Sequence, residues 1–484
     1  MAASGKKVLL TVHDGLSARI FFDCGIATML EEALEGRLEI VSTFDIAEFA
    51  DWSARVKTAR IRTLQDLLSG RPRSTLRASW DAFLDQRIGF LPLAIRFNLR
   101  HGLHRERMEK GHSNGFLDSS RIGPLPRWDV CYRQMFRWMY GSSRYLHPAL
   151  GRYLENEVSA VVSSHLQHQS TVPFILGAKR LGLPLVSYIA SWDHLVGKGV
   201  VYPGAQCYIV QNEIMRNDLV RYHDIDPGRI TVTGWPQTDI FSVRRPRSRY
   251  IELLASYGLD PAKPCVLVTG NSVTNAPYEP AFFKRLLEWW ESGDGKDRFN
   301  LIFRPHPKDT EWQQRYSVLL ERPRSGVYLQ APTYLDLEIL ALMLQHVECV
   351  VTNAGTILLD SLVNDRPAVS VLYDEGAPPG ESHAMKNVIG EHYKEMLESR
   401  AFHRAMNFGD VARAIDACLE QPQELAAERA AVSRRIVGVV DGGAAKRVVG
   451  TIVASLRESL DGSAFSIPKR APRALPKGAL AANR

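Results

Sequence analysis

Three stretches of this 484-residue chain place charged or hydroxyl side chains at the end of an apolar run. In NLIFRPHPKD, residues 300–309, the run leads straight into Arg304, His306 and Lys308, with prolines stiffening the turn. Guanidinium, imidazole and ammonium groups at that spacing suit phosphate oxygens. In CVVTNAGTILLD, residues 349–360, the run ends in Thr352, Asn353, Ala354, Gly355 and Thr356, where a helix is expected to begin. A helix N-terminus turns unpaired N–H groups and the positive end of the helix dipole toward an anion. Asp360, about one turn further on, is placed to accept from ribose hydroxyls. In PCVLVTGNSVTN, residues 264–275, the run ends in Gly270, Asn271 and Ser272, whose backbone N–H groups suit donor phosphates or the neighbourhood of an acceptor. Each has a plainer alternative: a polar loop, an exposed helix acid or a tight glycine turn without a ligand.

A second group could move protons. His13 and Asp14 follow KKVLLTV, Ser163, Ser164 and His165 follow SAVV, and Ser191, Trp192, Asp193 and His194 follow LPLVSYIA. If these runs are strands of one parallel sheet, all three sets collect at its carboxyl edge, where α/β proteins bind ligands. His13, Asp193 and His194 are candidates for a general base acting on an acceptor hydroxyl. A lone histidine at such a place is more often structural than catalytic. Two further patterns carry less. Asp224-Ile225-Asp226 has the D-x-D form of a metal-diphosphate clamp but runs into Pro227-Gly228, a turn. His101, His104 and His112 lack the carboxylates or cysteines that would complete a metal site. No metal or cofactor is expected beyond the nucleotide-linked substrate.

The elements that must position these groups alternate. Residues 7–42 read strand, helix, strand, the opening of a parallel βαβ sheet. Residues 51–150 break that rhythm, being rich in Arg, Trp and Phe with helical patches, and are expected to form a helical insertion. The alternation resumes near residue 158 and continues to 233; RRPRSRY then reads as a linker or linking helix. A second series follows, with strands at KPCVLVTG, RFNLIFRP, VYLQ, ECVVTN and PAVSVLYD and helices between them. The expectation is α/β: two Rossmann-like doubly wound domains facing a cleft, over residues 1–242 and 243–460, with a basic, disordered tail at 461–484. Neither G-x-x-x-x-G-K-[ST] nor G-x-G-x-x-G is present, which excludes a P-loop and disfavours a nicotinamide site.

The net charge of +7 is uneven. Residues 51–150 hold 18 Lys and Arg against 8 Asp and Glu, and the last 24 residues hold 5 against 1. Such a segment suits an anionic membrane surface, with a solvated cap of locally paired arginines as the equal alternative. No recognised module supports nucleic-acid binding. The six cysteines are scattered without C-x-x-C pairs, which fits free thiols in a reducing compartment.

At these residues the chain resembles proteins of the glycosyltransferase-B superfamily, and within it the bacterial surface-polysaccharide transferases and the CDP-glycerol glycerophosphotransferase-like group. The resemblance is carried by VHDGLSARIFFDCGIATML, VSYIASWDHLVGKG, QNEIMRNDLVRYHDIDPGRITVTGWPQTDIF, RPHPKD, VVTNAGTILLDSLVNDRPAVSV and DGGAAKRVVGTI. It implies that Arg304, His306 and the Thr352–Thr356 turn meet the donor diphosphate, and that Asp360 meets the ribose. The implied function is metal-independent transfer of a sugar or polyol phosphate from a nucleotide-diphosphate donor to a hydroxyl of a glycan or lipid-linked acceptor, in surface-polysaccharide synthesis. Cytoplasmic residence, with attachment at the inner face of the membrane, is the corresponding expectation. A nucleotide-sugar 2-epimerase, which shares the fold and the turn, and a non-catalytic binding protein are the alternatives. Substituting Arg304 and His306 together is expected to weaken donor binding with little loss of fold.

Overall fold

A computed structural model of the chain describes residues 5–43, 48–67, 148–165, 171–197, 201, 204–293, 295–321, 323–379, 381–388 and 391–460. Most of the basic insertion and the tail at 461–484 lie outside the described residues.

The described residues build two parallel sheets. The first has seven strands in the order β3-β2-β1-β4-β5-β6-β7: β1 Lys7–Val12, β2 Leu38–Ser42, β3 Arg60–Thr63, β4 Val158–Ser163, β5 Leu185–Tyr188, β6 Cys207–Val210 and β7 Ile230–Val232. The second has six in the order β10-β9-β8-β11-β12-β13: β8 Cys265–Thr269, β9 Asn300–Arg304, β10 Val327–Leu329, β11 Cys349–Thr352, β12 Ala368–Val371 and β13 His403–Ala405. The inner strands read as unbroken Val, Leu and Ile because helices cover both faces of a parallel sheet. On β1, Val8, Leu10 and Val12 enter one core while Leu9 enters the other, as the two-residue period requires. Each sheet reverses its winding once, between β1 and β4 and between β8 and β11. A crevice opens at such a reversal, beyond the carboxyl ends of the strands.

Two short strands differ from the sequence reading. Residues 60–63, placed in the helical insertion by composition, form the edge strand β3, with Ile40 opposite Ile61. Its Arg-Ile-Arg-Thr sequence hides it: Arg62 is held by the buried Glu39 of β2 at 2.8 Å, so a charged residue occupies a strand position. β13 is three residues long and gives no periodic signal.

RRPRSRY resolves into a helix, Arg247–Ser256, entered through Pro246. The segment before it is pinned by Arg245, which donates to Glu338 and to the carbonyls of Ile240 and Val243. The last described helix, Ala444–Leu460, crosses back to the first sheet. Its Val448, Val449, Ile452 and Leu456 share a core with Val8, Leu10, Ala160, Val162 and Val186. The Asp239 carboxylate accepts from the N–H groups of Ala444 and Ala445 and fixes the start of this helix. Residues 444–460, which follow the second series in sequence, therefore complete the first layer in space.

The Asp224–Asp226 segment is a turn: Asp224 has φ 56° and Asp226 caps the N–H of Gly228 at 2.9 Å. Cys207, Cys265, Cys349 and Cys418 are buried free thiols. Among the described residues no helix is long and apolar enough to cross a membrane.

Candidate functional site

The reversal crevices of the two sheets face each other. Gly15, just beyond β1, packs so close to Tyr334 that an added Cβ would lie 2.5 Å from its ring. Arg19 reaches over from the first half, donates to the Tyr334 carbonyl at 2.9 and 3.2 Å, and contacts the Asp336 carboxylate at 3.4 Å.

On the first sheet, His13, His165 and His194 do come together. The ring of His165 lies between the other two, with centroids 4.3 Å from each. All three are buried. Each end of this column carries a part-exposed carboxylate: Asp14 Oδ2 is 3.5 Å from His13 Nε2, and Asp193 Oδ1 is 4.0 Å from His194 Nε2. His13 Nδ1 faces two hydroxyls, Ser17 Oγ at 2.9 Å and Ser164 Oγ at 3.3 Å. Ser17 Oγ donates to Asp14 Oδ1 at 2.8 Å. A hydroxyl has one proton. Ser17 Oγ, 2.9 Å from His13 Nδ1, must therefore accept from it. This contact suits the tautomer with its proton on Nδ1, in which Nε2 is the basic nitrogen. Burial opposes ionisation of Asp14, but His13, the two Ser17 hydrogen bonds and Lys308 outweigh it and hold the carboxyl down to about 2. Asp14 is thus an anion that orients His13 and is itself too weak a base for proton abstraction near neutrality.

On the second sheet, His306 and Lys308 follow β9. Lys308 N–H donates to His306 Nδ1 at 3.0 Å, leaving Nε2–H as the donor of the neutral ring. Burial, then the Lys308 and Arg19 charges, push the imidazole down to about 4. Lys308 is exposed, and its charge is felt at Asp14 on the opposite face.

Arg304 is placed differently from the sequence expectation. It is 4% exposed and its guanidinium is engaged by Asp336 on two nitrogens, one at 2.8 Å, with Gln330 also donating to that carboxylate. Removing one partner of a buried pair strands the other charge. The expectation that Arg304 could be replaced with little loss of fold is accordingly revised: Arg304 holds the strand end from which His306 projects.

The helix Thr356–Val363 starts at Gly355, whose φ of 129° is strained for any residue with a side chain. No side chain caps this helix. Gly355 N–H is taken by the Tyr393 hydroxyl at 2.9 Å, and Tyr393 packs on Trp192, 5.4 Å between centroids, which ties the turn to the Asp193 loop. Asp360 is largely enclosed; burial raises its carboxyl to about 7 against the opposing charge of Arg19. The side chain of Asn353 serves as a brace, donating to the carbonyls of Val371 and Ala384 and accepting from Asn387. Thr352 is buried beside it, and Thr356 opens the helix. The Gly270–Ser272 loop is held by Glu279, which accepts from Asn271 N–H, and by Asn271 Nδ2, which donates to the Ala354 carbonyl. Ser272 N–H is taken by the Asn271 side chain at 2.8 Å.

Arg19, Tyr334, Asp336 and Tyr393 were not singled out by the sequence reading. The one signal available was Arg19 itself, a lone cation inside the apolar run SARIFFD.

Two doubly wound parallel sheets facing across a cleft, with the helix Ala444–Leu460 returning to the first, define a glycosyltransferase-B type fold. Solved structures with this fold match nearly the whole chain. The S. aureus MnaA-UDP complex aligns with a TM-score of 0.53 at 12% identity, over 94% of this chain and 97% of that one. UDP-GlcNAc 2-epimerase from Neisseria meningitidis, bound to UDP-GlcNAc, gives 0.50 at 12%, over 93% and 100%. The wall teichoic acid polymerase TagF, soaked with CDPG, gives 0.51 at 11%, over 94% and 90%. At these identities the likeness is one of fold. No curated protein matches the sequence. Residues 201–454, just over half of the chain, match the CDP-glycerol:poly(glycerophosphate) glycerophosphotransferase family, and the chain belongs to it. It is a transferase using a nucleotide-linked donor. The match includes His306, Lys308, Gly355 and Asp360 and begins beyond His13, His165, Asp193 and His194.

Proposed function

We propose that this protein transfers a polyol phosphate, glycerol phosphate in the first instance, from a CDP-linked donor to a hydroxyl of a glycan or lipid-linked acceptor. The diphosphate lies at the open N-terminus of the helix Thr356–Val363, with Lys308 and His306 Nε2–H on its other side and Asp360 toward the ribose. His13 Nε2 takes the acceptor proton. The acceptor oxygen bonds to the phosphorus that bears the polyol, the bridging P–O bond breaks, and CMP leaves with the electron pair. Lys308, His306 and the helix N–H groups stabilise the charge that develops on the leaving phosphate. Asp193 and His194, at the other end of the histidine column, are the second choice for the base.

The observation that carries this reading is the pairing across the cleft. The Lys308 charge is felt at Asp14, beside His13, while His306 and an uncapped helix end belong to the Lys308 side. Lys308 and His306 would serve the leaving phosphate without a metal ion, which turnover in the presence of a chelator tests.

The experiment is CMP release from CDP-glycerol with and without a lipid-linked acceptor, beside a panel of UDP-, GDP- and dTDP-sugars. Acceptor-dependent CMP release, lowered about 10²–10⁴-fold in His13→Gln with donor affinity retained, supports the assignment. Epimerised UDP-sugar in place of release would install the isomerase alternative. Binding without turnover of any donor would leave the non-catalytic one. Attachment to the inner membrane face through residues 51–150 belongs to the same proposal; absence of binding to phosphatidylglycerol vesicles by the full chain would remove it.

A further inference from the structure

The chain beyond β8, β9 and β11 carries Gly270–Ser272, His306 and the Thr352–Thr356 turn, and one buried acid ties these segments together. Glu279 is the first residue of the helix Glu279–Ser292 and is 8% exposed. Its carboxyl accepts from Asn271 N–H at 2.9 and 3.0 Å and from the Tyr316 hydroxyl at 2.9 Å. Tyr316 is itself buried, so the acid is held from both sides.

The placement is passed on in two directions. Toward the phosphate turn, Asn271 Nδ2 donates to the carbonyl of Ala354, the residue before Gly355, at 3.3 Å. Toward His306, the link is close packing. Gly270 N–H donates to the Arg304 carbonyl at 2.8 Å, and a Cβ added at Gly270 would lie 2.7 Å from Glu279 Oε2 and 3.2 Å from His306 N. The Gly270 backbone is thus seated between the acid and the start of the His306 segment. Arg315 closes the frame. It pairs with Asp309, whose N–H donates to the His306 carbonyl at 2.8 Å, and it donates to the Ala276 carbonyl at 3.1 Å.

The charge of the acid suits this place. A carboxylate behind the turn would oppose a bound diphosphate. Burial raises the Glu279 carboxyl to about 8, against the hydrogen bonds from Tyr316 and Asn271 and the charge of Arg315, so the neutral acid prevails near pH 7. A neutral carboxyl still offers an acceptor oxygen. An apolar side chain here would avoid the cost of burying the acid but would leave Asn271 N–H without its partner.

We infer that Glu279 is a positioning residue of the donor site, fixing through Asn271 and Gly270 where the Gly355 turn and His306 stand relative to each other. It does not itself touch the donor. The inference rests on the transferase reading and deepens it, because a leaving phosphate is stabilised only by groups already in register with it.

The test is calorimetric titration of CDP into the wild-type protein, Glu279→Leu and Glu279→Gln. Leucine is of similar size and has no acceptor, whereas glutamine keeps a neutral acceptor oxygen. CDP affinity lowered about tenfold or more in folded Glu279→Leu, and restored to within about threefold of wild type in Glu279→Gln, is the expected result. A role in stability alone would lower the melting temperature of Glu279→Leu and leave CDP affinity of the folded protein unchanged, and that outcome would overturn the inference. Should Glu279→Leu not fold, Asn271→Ala takes its place: it keeps the backbone N–H bond to Glu279 and removes the link to Ala354. An affinity loss of about threefold or more sustains the inference, and unchanged affinity overturns it. Absence of CDP binding by the wild-type protein would overturn the transferase reading instead. Glu279 is then judged from the Gly355 amide resonance of the unliganded protein: a signal displaced in Glu279→Leu and restored in Glu279→Gln sustains its role, and an unmoved signal refutes it.

Discussion

The guanidinium of Arg19 meets the same carboxylate, Asp336, that holds Arg304, so one buried acid joins the two halves of the cleft. Asp336→Ala leaves two enclosed guanidinium groups without their counter-ion, and a loss of about 3–5 kcal/mol is expected in urea denaturation. Asp336→Asn should lose less, since the amide oxygen still accepts. A variant as stable as wild type would remove Asp336 from this role.

Gly355→Ala forces a side chain onto a backbone of φ 129° at the mouth of the donor site. A stability cost of about 1–3 kcal/mol follows from the strain alone. Nothing lies within 4 Å of the added Cβ, so packing does not add to it. Donor affinity should fall by about tenfold or more as the helix N-terminus shifts, a change of about 1.4 kcal/mol. Titration with CDP checks this, and unaltered affinity would dissociate the turn from the diphosphate.

Asp360 makes the unliganded protein alkali-sensitive. Burial raises its carboxyl from 3.8 to about 7, so the fold favours the protonated acid. That contribution is fully present below pH 3.8 and is lost as pH rises through 7. Asp360→Asn removes the dependence, and relative to wild type it should gain about 2–3 kcal/mol between pH 5 and pH 8.5 while binding donor more weakly. Parallel stability curves for the two proteins would contradict the assignment.

Lys308→Ala removes a positive neighbour from His306, whose imidazole is pushed down to about 4 by burial first and Lys308 second. Its pKa should rise in the variant, readable from the His306 Cε1–H shift in an NMR titration. Lys308 is exposed, so the melting temperature should change little while donor affinity falls about tenfold. A fixed His306 titration would place Lys308 away from the ring.

Much of this was legible in the sequence because parallel strands buried on both faces advertise themselves. Cys265–Thr269, Asn300–Arg304 and Cys349–Thr352 are apolar runs that stop at polar residues, and a parallel sheet brings such stops to one edge. The gathering of His13, His165 and His194 followed from that rule alone. Long-range pairing did not announce itself. Arg304 reads locally as a phosphate ligand, whereas its partner Asp336 lies 32 residues away. Arg19 joins partners more than 300 residues distant. β3 was hidden because the acid that neutralises its Arg62 lies on another strand. Local patterns report which residues reach an edge, whereas charge partnership across the cleft is settled only by the packing of two domains.

The helix Ala444–Leu460 has a bearing on how the chain is made. Val448, Val449, Ile452 and Leu456 cover an apolar face of a sheet whose first strand begins at Lys7. During synthesis that face stays uncovered until residues 444–460 have left the ribosome, some 400 residues after β1, and a polypeptide ending before residue 444 leaves it open to solvent and to other chains. Truncation before residue 444 would therefore expose the core built around β1, and chaperone demand should fall only once residues 444–460 have been translated.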